Sequence, residues 1–314
     1  MTQKNDLKGV FCAAATPFKN GKPDLDNLQR HIRQLIDDGC DGLLLLGTTG
    51  EGPSLGIEER TAIIETAMAF SDETMILAGT GSSSLDDAII NTRRAFDLGV
   101  DVVVVIPPYY FKGVNEDGLF DFYQQLFDTA VPDDGLLMAY HIPQVTQVPI
   151  TAGLLQRLID YAGDRMAAIK DSSGDLDHSR AIIDGFPHLR VFVGNDKTLL
   201  GGLQADAAGC ITAGANVLGT LAVNVYRAFR NNDDAETPQT LLTQARSVLD
   251  QFTPASSTIK HLLSVRYQTV GWDVRPPLTP LPPQKAQELV AALQQLDLPP
   301  EYEWLKQVEA QPAK

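Results

Sequence analysis

Lys170 is the residue of this chain whose position most clearly suggests chemistry. It follows an apolar run over residues 166–169 and precedes a polar turn that ends at Gly174. An apolar run of this length between turn residues predicts a short buried strand of a parallel sheet, with Lys170 near its carboxyl end. Burial disfavours the charged form of an amine, and a neutral lysine is a nucleophile toward carbonyl carbons. The alternative is a lysine that ends a strand and reaches water.

The GTTGE run over residues 47–51 ends another predicted strand and could share a site with Lys170. Its glycines let backbone N–H groups approach a ligand closely, and its threonines add hydroxyl donors, which together suit a small carboxylate. A tight turn whose threonines bond their own backbone is the alternative. Gly47, Thr48 and Thr49 are therefore candidate binding residues.

Aromatic residues stand at two further strand ends, Tyr109 and Tyr110 at one, Tyr140 and His141 at the other. A phenol beside Lys170 could relay protons, whereas the alternatives are aromatic packing at a rim and a hydrogen bond to the backbone. Because side chains alternate along a strand, Tyr140 and His141 should point to opposite sides. If Tyr140 faces the site, His141 faces the helices.

The last two predicted strands end in loops that could line the same pocket. Asp196 and Lys197 follow the first of these strands, and Ile211 begins the run that leads from the second to Asn216. Both loops also have ordinary loop composition, so their residues are candidates on position alone.

The elements that must position these residues alternate regularly between strand and helix. Predicted strands cover residues 10–15, 42–46, 75–78, 101–106, 136–141, 167–170, 191–193 and 209–212. Predicted helices cover residues 24–39, 57–70, 85–98, 116–130, 151–161, 176–185, 198–204 and 217–230. Eight such pairs predict an α/β protein with a (β/α)8 TIM barrel, whose strands carry the active site at their carboxyl ends. A doubly wound open sheet is the alternative, but no GxGxxG follows the first strand.

The chain is predicted to fall into three parts. A barrel over residues 9–230 is followed by a helical region over 231–297, with helices at about 235–252, 257–270 and 283–296. We expect this C-terminal helical extension to pack on the barrel. Residues 298–314 are polar and contain proline, and they are predicted to form a loose tail.

Composition limits the classes of partner. The net charge of -15 argues against nucleic acid and anionic membranes, which attract basic surfaces. Three scattered cysteines and five histidines give no zinc-type spacing, so no metal site is expected. The first residues hold no apolar segment, and no apolar run approaches the ~20 residues of a membrane helix. A cytoplasmic protein with reduced thiols is therefore expected.

Taken together, the motifs resemble the dihydrodipicolinate synthase / N-acetylneuraminate lyase family of class I aldolases. The resemblance covers about residues 9–296. Its motifs are GTTGE at 47–51, Pro108-Tyr109-Tyr110, Tyr140-x-x-Pro143, Ile169-Lys170 and Gly194-x-Asp196. The family's fold is a (β/α)8 barrel with a C-terminal helical region, usually in a homotetramer, and its chemistry needs no metal or organic cofactor.

The resemblance implies a role for each matching residue. Lys170 would form a Schiff base with the ketone of pyruvate or another 2-oxo acid, and Tyr140 would be the acid/base. Thr48 and Tyr110 would complete a proton relay, with Tyr110 supplied by a neighbouring subunit. Thr49 and backbone N–H groups of the turn would hold the carboxylate. The second substrate would be an aldehyde.

Two departures bear on the substrate. In the family's dihydrodipicolinate synthases, an arginine two residues after the proline of the tyrosine motif holds the carboxylate of the aldehyde substrate, and Val145 stands there in this chain. N-acetylneuraminate lyases have a glutamate where this chain has Lys197. What remains resembles the 2-keto-3-deoxy sugar acid aldolases. Synthase activity, a 2-oxo acid dehydratase or hydratase-aldolase, and a barrel that binds without catalysis are the alternatives.

Overall fold

A computed structural model describes residues 6–307, and eight parallel strands close into a barrel at its centre. The strands of the described residues are β1 Gly9–Ala13, β2 Phe18–Lys19, β3 Lys22–Pro23, β4 Gly42–Leu45, β5 Met75–Gly79, β6 Val102–Val105, β7 Leu136–His141, β8 Met166–Asp171, β9 Arg190–Val193 and β10 Gly209–Thr212. All of them except the two-residue strands β2 and β3 belong to the barrel. The order around the barrel is β1-β10-β9-β8-β7-β6-β5-β4. The predicted (β/α)8 TIM barrel is confirmed.

Helices surround the barrel: those up to residue 231 follow its strands, and the remaining three come one after another at the C-terminal side. They are α1 Leu25–Asp37, α2 Ile57–Met68, α3 Leu85–Asp97, α4 Glu116–Thr129, α5 Pro143–Thr146, α6 Ala152–Ala162, α7 Leu176–Gly185, α8 Leu199–Gln204, α9 Ala215–Asn231, α10 Glu236–Leu249, α11 Ala255–Tyr267 and α12 Pro283–Gln294. Several of these helices begin at a residue whose side chain caps the first turn. Asp24, for example, caps α1 by accepting a hydrogen bond from the Asn27 N–H. No helix of residues 6–307 is long and apolar enough to cross a membrane.

The strands are buried on both faces, and this gives the protein two layers of apolar side chains. One layer fills the barrel and includes Phe11, Leu44, Met138 and Phe192. The other lies between the strands and the helices. Strands that are apolar on both faces are expected where a parallel sheet is covered by helices outside and by its own side chains inside.

Three features differ from the prediction. Two-residue strands β2 and β3 pair as a small hairpin after β1, and the single turn α5 follows β7. Residues 300–307 form a 3-10 helix in which Tyr302 and Leu305 are buried, so this part of the predicted loose tail packs on the protein. Residues 308–314 of that tail lie outside the described residues. The helices α10–α12 stand where a helical region was predicted.

Candidate active site

Lys170 and Tyr140 face each other inside the barrel at the carboxyl ends of β8 and β7. The two residues are partners in the register of these strands. The Lys170 Nζ lies 4.3 Å from the centroid of the Tyr140 ring, and the two residues are 4% and 6% exposed. An amine and a phenol are thus held side by side at the carboxyl end of the strands, where enzymes with a TIM-barrel fold carry their active sites.

Apolar side chains surround this pair. Phe192 is the register partner of Lys170 on β9, and its ring packs edge-on against Phe11 with centroids 5.3 Å apart. Ile211 is fully buried in the same interior layer, which also contains Tyr140. These side chains limit the access of water to the amine, a setting in which lysines attack carbonyl carbons.

The residues that follow this pair on each strand point the other way, as alternation requires. His141 faces the helices, where its Nδ1 accepts a hydrogen bond of 3.1 Å from the Ile150 N–H. Its ring stacks on His178 of α7, with centroids 4.6 Å apart. The prediction that His141 faces the helices if Tyr140 faces the site is confirmed.

Asp171 joins these histidines in a network that sequence reasoning missed. Its Oδ2 accepts hydrogen bonds from His178 Nδ1 at 3.0 Å and Ser179 Oγ at 2.6 Å, and its Oδ1 accepts one from the Ser173 N–H. Burial alone would raise the pKa of Asp171, but the bonds from His178 and Ser179 hold it below its ordinary value. The network ties the end of β8 to α7.

His141, Asp171 and His178 bring potential metal-ligand atoms within 4.8 Å of one another. Two contacts disfavour a metal there. Nδ1 of His141 already accepts a hydrogen bond from the Ile150 N–H, so the neutral ring carries its proton on Nε2. Neither ring nitrogen of His141 is then free to bind a metal ion. Asp171 already accepts three hydrogen bonds from protein groups. The cluster is therefore best described as a satisfied hydrogen-bond network.

The GTTGE turn follows β4 at the same end of the barrel and is closed by its own backbone. The Gly52 N–H donates to the Gly47 carbonyl at 3.0 Å, and the Glu51 N–H donates to the Thr48 carbonyl at 3.2 Å. Thr48 is exposed and Thr49 is buried. Gly50 must be a glycine in this geometry, because a Cβ there would lie 2.8 Å from the Ala14 carbonyl oxygen.

Two candidates from the sequence extend into solvent instead of packing beside Lys170. Tyr110 is 73% exposed, and its ring packs against Phe111, which is 68% exposed. Val145 of α5 is 54% exposed. Its neighbour Gln144 donates a hydrogen bond of 2.6 Å to the Ser172 carbonyl, which anchors the short helix α5 to the loop after β8.

Asp196 is fully buried, and both of its carboxylate oxygens are bonded within the protein. Its Oδ1 accepts from Thr212 Oγ1 at 2.6 Å, and its Oδ2 forms an ion pair with Arg246 Nη1 at 2.7 Å. The Lys197 Nζ lies 2.7 Å from Asp250 Oδ2, and Asp250 also pairs with Arg246. This network fastens the end of β9 to α10.

Asn216 and His31 form another buried network whose role the sequence did not indicate. Asn216 bonds the Ala13 carbonyl and the Ala15 N–H, each at 2.8 Å, and so fixes the chain after β1. His31 Nε2 lies 2.9 Å from Asn216 Oδ1, and His31 Nδ1 lies 2.8 Å from the Tyr267 hydroxyl. Burial lowers the pKa of His31 to about 4.

Comparisons with known proteins agree with this geometry. A sequence model described as the dihydrodipicolinate synthetase family matches residues 6–296. An uncharacterized DapA-like lyase of Chloroflexus aurantiacus is 39% identical over 292 residues, which are 92% of this chain and 97% of that protein. The putative 2-dehydro-3-deoxy-D-gluconate aldolase YagE of Escherichia coli is 32% identical over 95% of this chain and 100% of that protein.

A 4-hydroxy-tetrahydrodipicolinate synthase of Methanococcus aeolicus is 29% identical over 93% of this chain and 100% of that protein. Among solved structures, the complex of Escherichia coli YagE with pyruvate superposes with a TM-score of 0.87 at 31% identity. That match covers 93% of this chain and 99% of the YagE chain. The fold is thus shared with this structure over nearly the whole length.

Proposed function

Because the chain belongs to the dihydrodipicolinate synthetase family of class I lyases and aldolases, we propose that it makes or breaks a carbon–carbon bond between pyruvate and an aldehyde. The observation that carries the proposal is the Lys170–Tyr140 pair, a buried amine 4.3 Å from a phenol ring at the carboxyl ends of adjacent barrel strands. An imine mechanism needs such a pair, an amine to form the imine and a neighbouring acid/base.

In the cleavage direction, the Lys170 amine adds to the ketone carbon of a 4-hydroxy-2-oxo acid, and water leaves to give a protonated imine. Tyr140 removes the proton of the C4 hydroxyl while the C3–C4 bond breaks. The electron pair of that bond moves into the imine to form an enamine, and the aldehyde departs. Protonation of C3 and hydrolysis then release pyruvate and restore the free amine.

The remaining candidates would support this chemistry from around the Lys170–Tyr140 pair. Thr48 and a Tyr110 from a neighbouring subunit would pass the proton to and from Tyr140. Thr49 and the backbone around Gly47 would hold the carboxylate of the 2-oxo acid. Ile211 would line the apolar wall. Asp196 is a candidate for substrate contact by its position in the sequence. Both of its carboxylate oxygens are already bonded to protein groups, however, which favours a structural role at the end of β9.

The substrate that fits best is a 2-keto-3-deoxy sugar acid. Val145 stands where dihydrodipicolinate synthases of the family have an arginine for a second carboxylate, and a valine side chain has no donor with which to pair a carboxylate. Lys197 would be a substitute cation on another loop at this end of the barrel, but its amine is paired with Asp250. The aldolase name of the relative YagE supports the same choice. Synthase and dehydratase activities are the competing assignments.

A screen for pyruvate release tests the substrate. Incubation with 2-keto-3-deoxygluconate or a close analogue should release pyruvate, whereas N-acetylneuraminate should not. In the condensation direction, kcat/KM for pyruvate with glyceraldehyde should exceed kcat/KM for pyruvate with aspartate semialdehyde. A tenfold preference for the semialdehyde, about 1.4 kcal/mol, would overturn the sugar acid assignment in favour of the synthase.

A further inference from the structure

Glu51, the last residue of the GTTGE turn, is buried and points away from solvent into the protein. Its backbone adopts the left-handed conformation at φ 54°, and its residue exposure is 2%. Its carboxylate forms an ion pair with Lys260 of α11, and both side chains are 1% exposed. The turn is therefore connected to the C-terminal helical region, 209 residues later in the chain.

A second residue of the C-terminal region completes the connection. The Arg275 N–H donates to Glu51 Oε2 at 2.9 Å, and the Arg275 guanidinium donates to the Ser54 carbonyl and to Glu59 of α2. Lys260 also donates to the Asp273 carbonyl at 2.7 Å. Both carboxylate oxygens of Glu51 are thus held by groups of the C-terminal region.

One aromatic ring contacts both cations. The Phe18 ring centroid is 4.1 Å from Lys260 Nζ and 4.5 Å from Arg275 Cζ. Burial lowers the pKa of Lys260 to about 8, although the ion pair with Glu51 acts in the opposite direction. A buried pair of this kind is weak evidence for added stability, since desolvation offsets much of the attraction. Its clearer effect is geometric, because it fixes the position of Glu51.

The other contacts of the turn show what that position controls. The Glu51 N–H donates to the Thr48 carbonyl at 3.2 Å, so the placement of Glu51 sets the placement of Thr48. The Ser256 hydroxyl at the start of α11 lies 3.5 Å from the same carbonyl. Movement of Glu51 would therefore move the backbone at Thr48 and Thr49.

We infer that Glu51, Lys260 and Arg275 are positioning residues, through which the C-terminal helical region sets the geometry of the turn that binds the carboxylate of the 2-oxo acid. The inference rests on the proposed function. It predicts that loss of the ion pair weakens pyruvate binding more than it changes any step after the imine has formed. A role confined to stability predicts no such selectivity.

The test measures the pyruvate concentration that gives half-maximal borohydride trapping at Lys170. Lys260→Met and Glu51→Gln should each raise this concentration about tenfold or more. A tenfold change corresponds to about 1.4 kcal/mol of binding free energy, which is close to the contribution of one charge-assisted hydrogen bond. The trapped fraction at saturating pyruvate should stay near that of the wild type. Circular dichroism and chemical denaturation show that each variant is folded.

Arg266→Met is the matched control. Arg266 lies on the same helix, α11, but its ion pair is with Asp38 and not with the GTTGE turn. This pair is also largely buried, since the side chains of Arg266 and Asp38 are 11% and 7% exposed. It should lose comparable stability yet keep the half-saturating concentration within about twofold, the spread for independent sites. If Lys260→Met alone does not fold, the double variant Glu51→Gln/Lys260→Met, which leaves no unpaired buried charge, carries the same test.

Equal shifts in Lys260→Met and Arg266→Met, or no shift in a folded Lys260→Met, would overturn the inference while the imine at Lys170 still stands. Absence of trapping in the wild type would instead overturn the proposed function, and this inference with it. The two failures are therefore separable in one data set.

Discussion

Lys170 and Tyr140 meet because parallel strands β7 and β8 place them opposite each other in register. The pleat then turns His141 and Asp171, the next residues on each strand, toward α7. The ends of these two strands thus carry an amine and a phenol on the inner face of the barrel and hydrogen-bonded polar side chains on the outer face. We propose that this outer network keeps the inner pair in place.

Val145 is the residue on which the substrate assignment depends. It is 54% exposed, so a longer side chain can be placed there without displacing the core. Val145→Arg should raise kcat/KM for pyruvate with aspartate semialdehyde by roughly tenfold or more, because a charge-assisted hydrogen bond contributes roughly 1.5–3 kcal/mol. Val145→Gln is the neutral control for side-chain length. An equal gain in both variants would show that the charge at this position does not select the aldehyde.

His31 should make the free energy of unfolding depend on pH. Its pKa is about 4 in the folded protein because of burial, whereas an unfolded histidine titrates near 6.5. Between these values the unfolded chain binds a proton that the folded chain lacks, so stability falls as the pH drops from about 6.5 toward 4.

The measurement is chemical denaturation at pH 7 and pH 5 for the wild type and His31→Gln. Glutamine can keep polar contacts with Asn216 and Tyr267 but does not titrate. The loss of stability between the two pH values should be about 2 kcal/mol smaller in the variant. Parallel pH curves for the two proteins would contradict the assignment of this dependence to His31.

At the scale of elements, β9 and α10 are joined by the buried pair of Asp196 and Arg246. Arg246→Met leaves a fully buried carboxylate without its cation, which should reduce the free energy of unfolding by about 3–5 kcal/mol. Lys197→Met breaks a more exposed pair in the same network and should change it by less than about 1 kcal/mol. Thermal or chemical denaturation checks both values. Similar losses in the two variants would contradict the role given to Asp196.

The sequence predicted the barrel because short apolar runs alternate eight times with segments of helical periodicity. It also predicted the direction of His141, since alternation along a strand is local. The hairpin of β2 and β3, the single turn α5 and the 3-10 helix over residues 300–307 are too short to show a period. The side chains that form ion pairs with Asp196 and Glu51 lie 50 and 209 residues away, so no local pattern could reveal these pairs.

At the scale of the whole molecule, Tyr110 and Phe111 place two aromatic rings in solvent next to the barrel mouth. We propose that the protein is a homotetramer in which Tyr110 completes the proton relay of a neighbouring subunit. Sedimentation should then show a tetramer, and Tyr110→Phe should lower kcat more than it raises KM for pyruvate. A monomer with full activity would contradict this proposal.

The most direct test of the account is borohydride reduction in the presence of pyruvate, followed by digestion and peptide mass measurement. We expect one added pyruvate-derived group on the peptide that contains Lys170. Lys170→Ala should show no such group while its circular dichroism stays that of the wild type. Tyr140→Phe should still be trapped but turn over roughly 100-fold or more slowly, since it lacks only the acid/base. An unmodified Lys170 peptide from a preparation that releases pyruvate would contradict the imine mechanism.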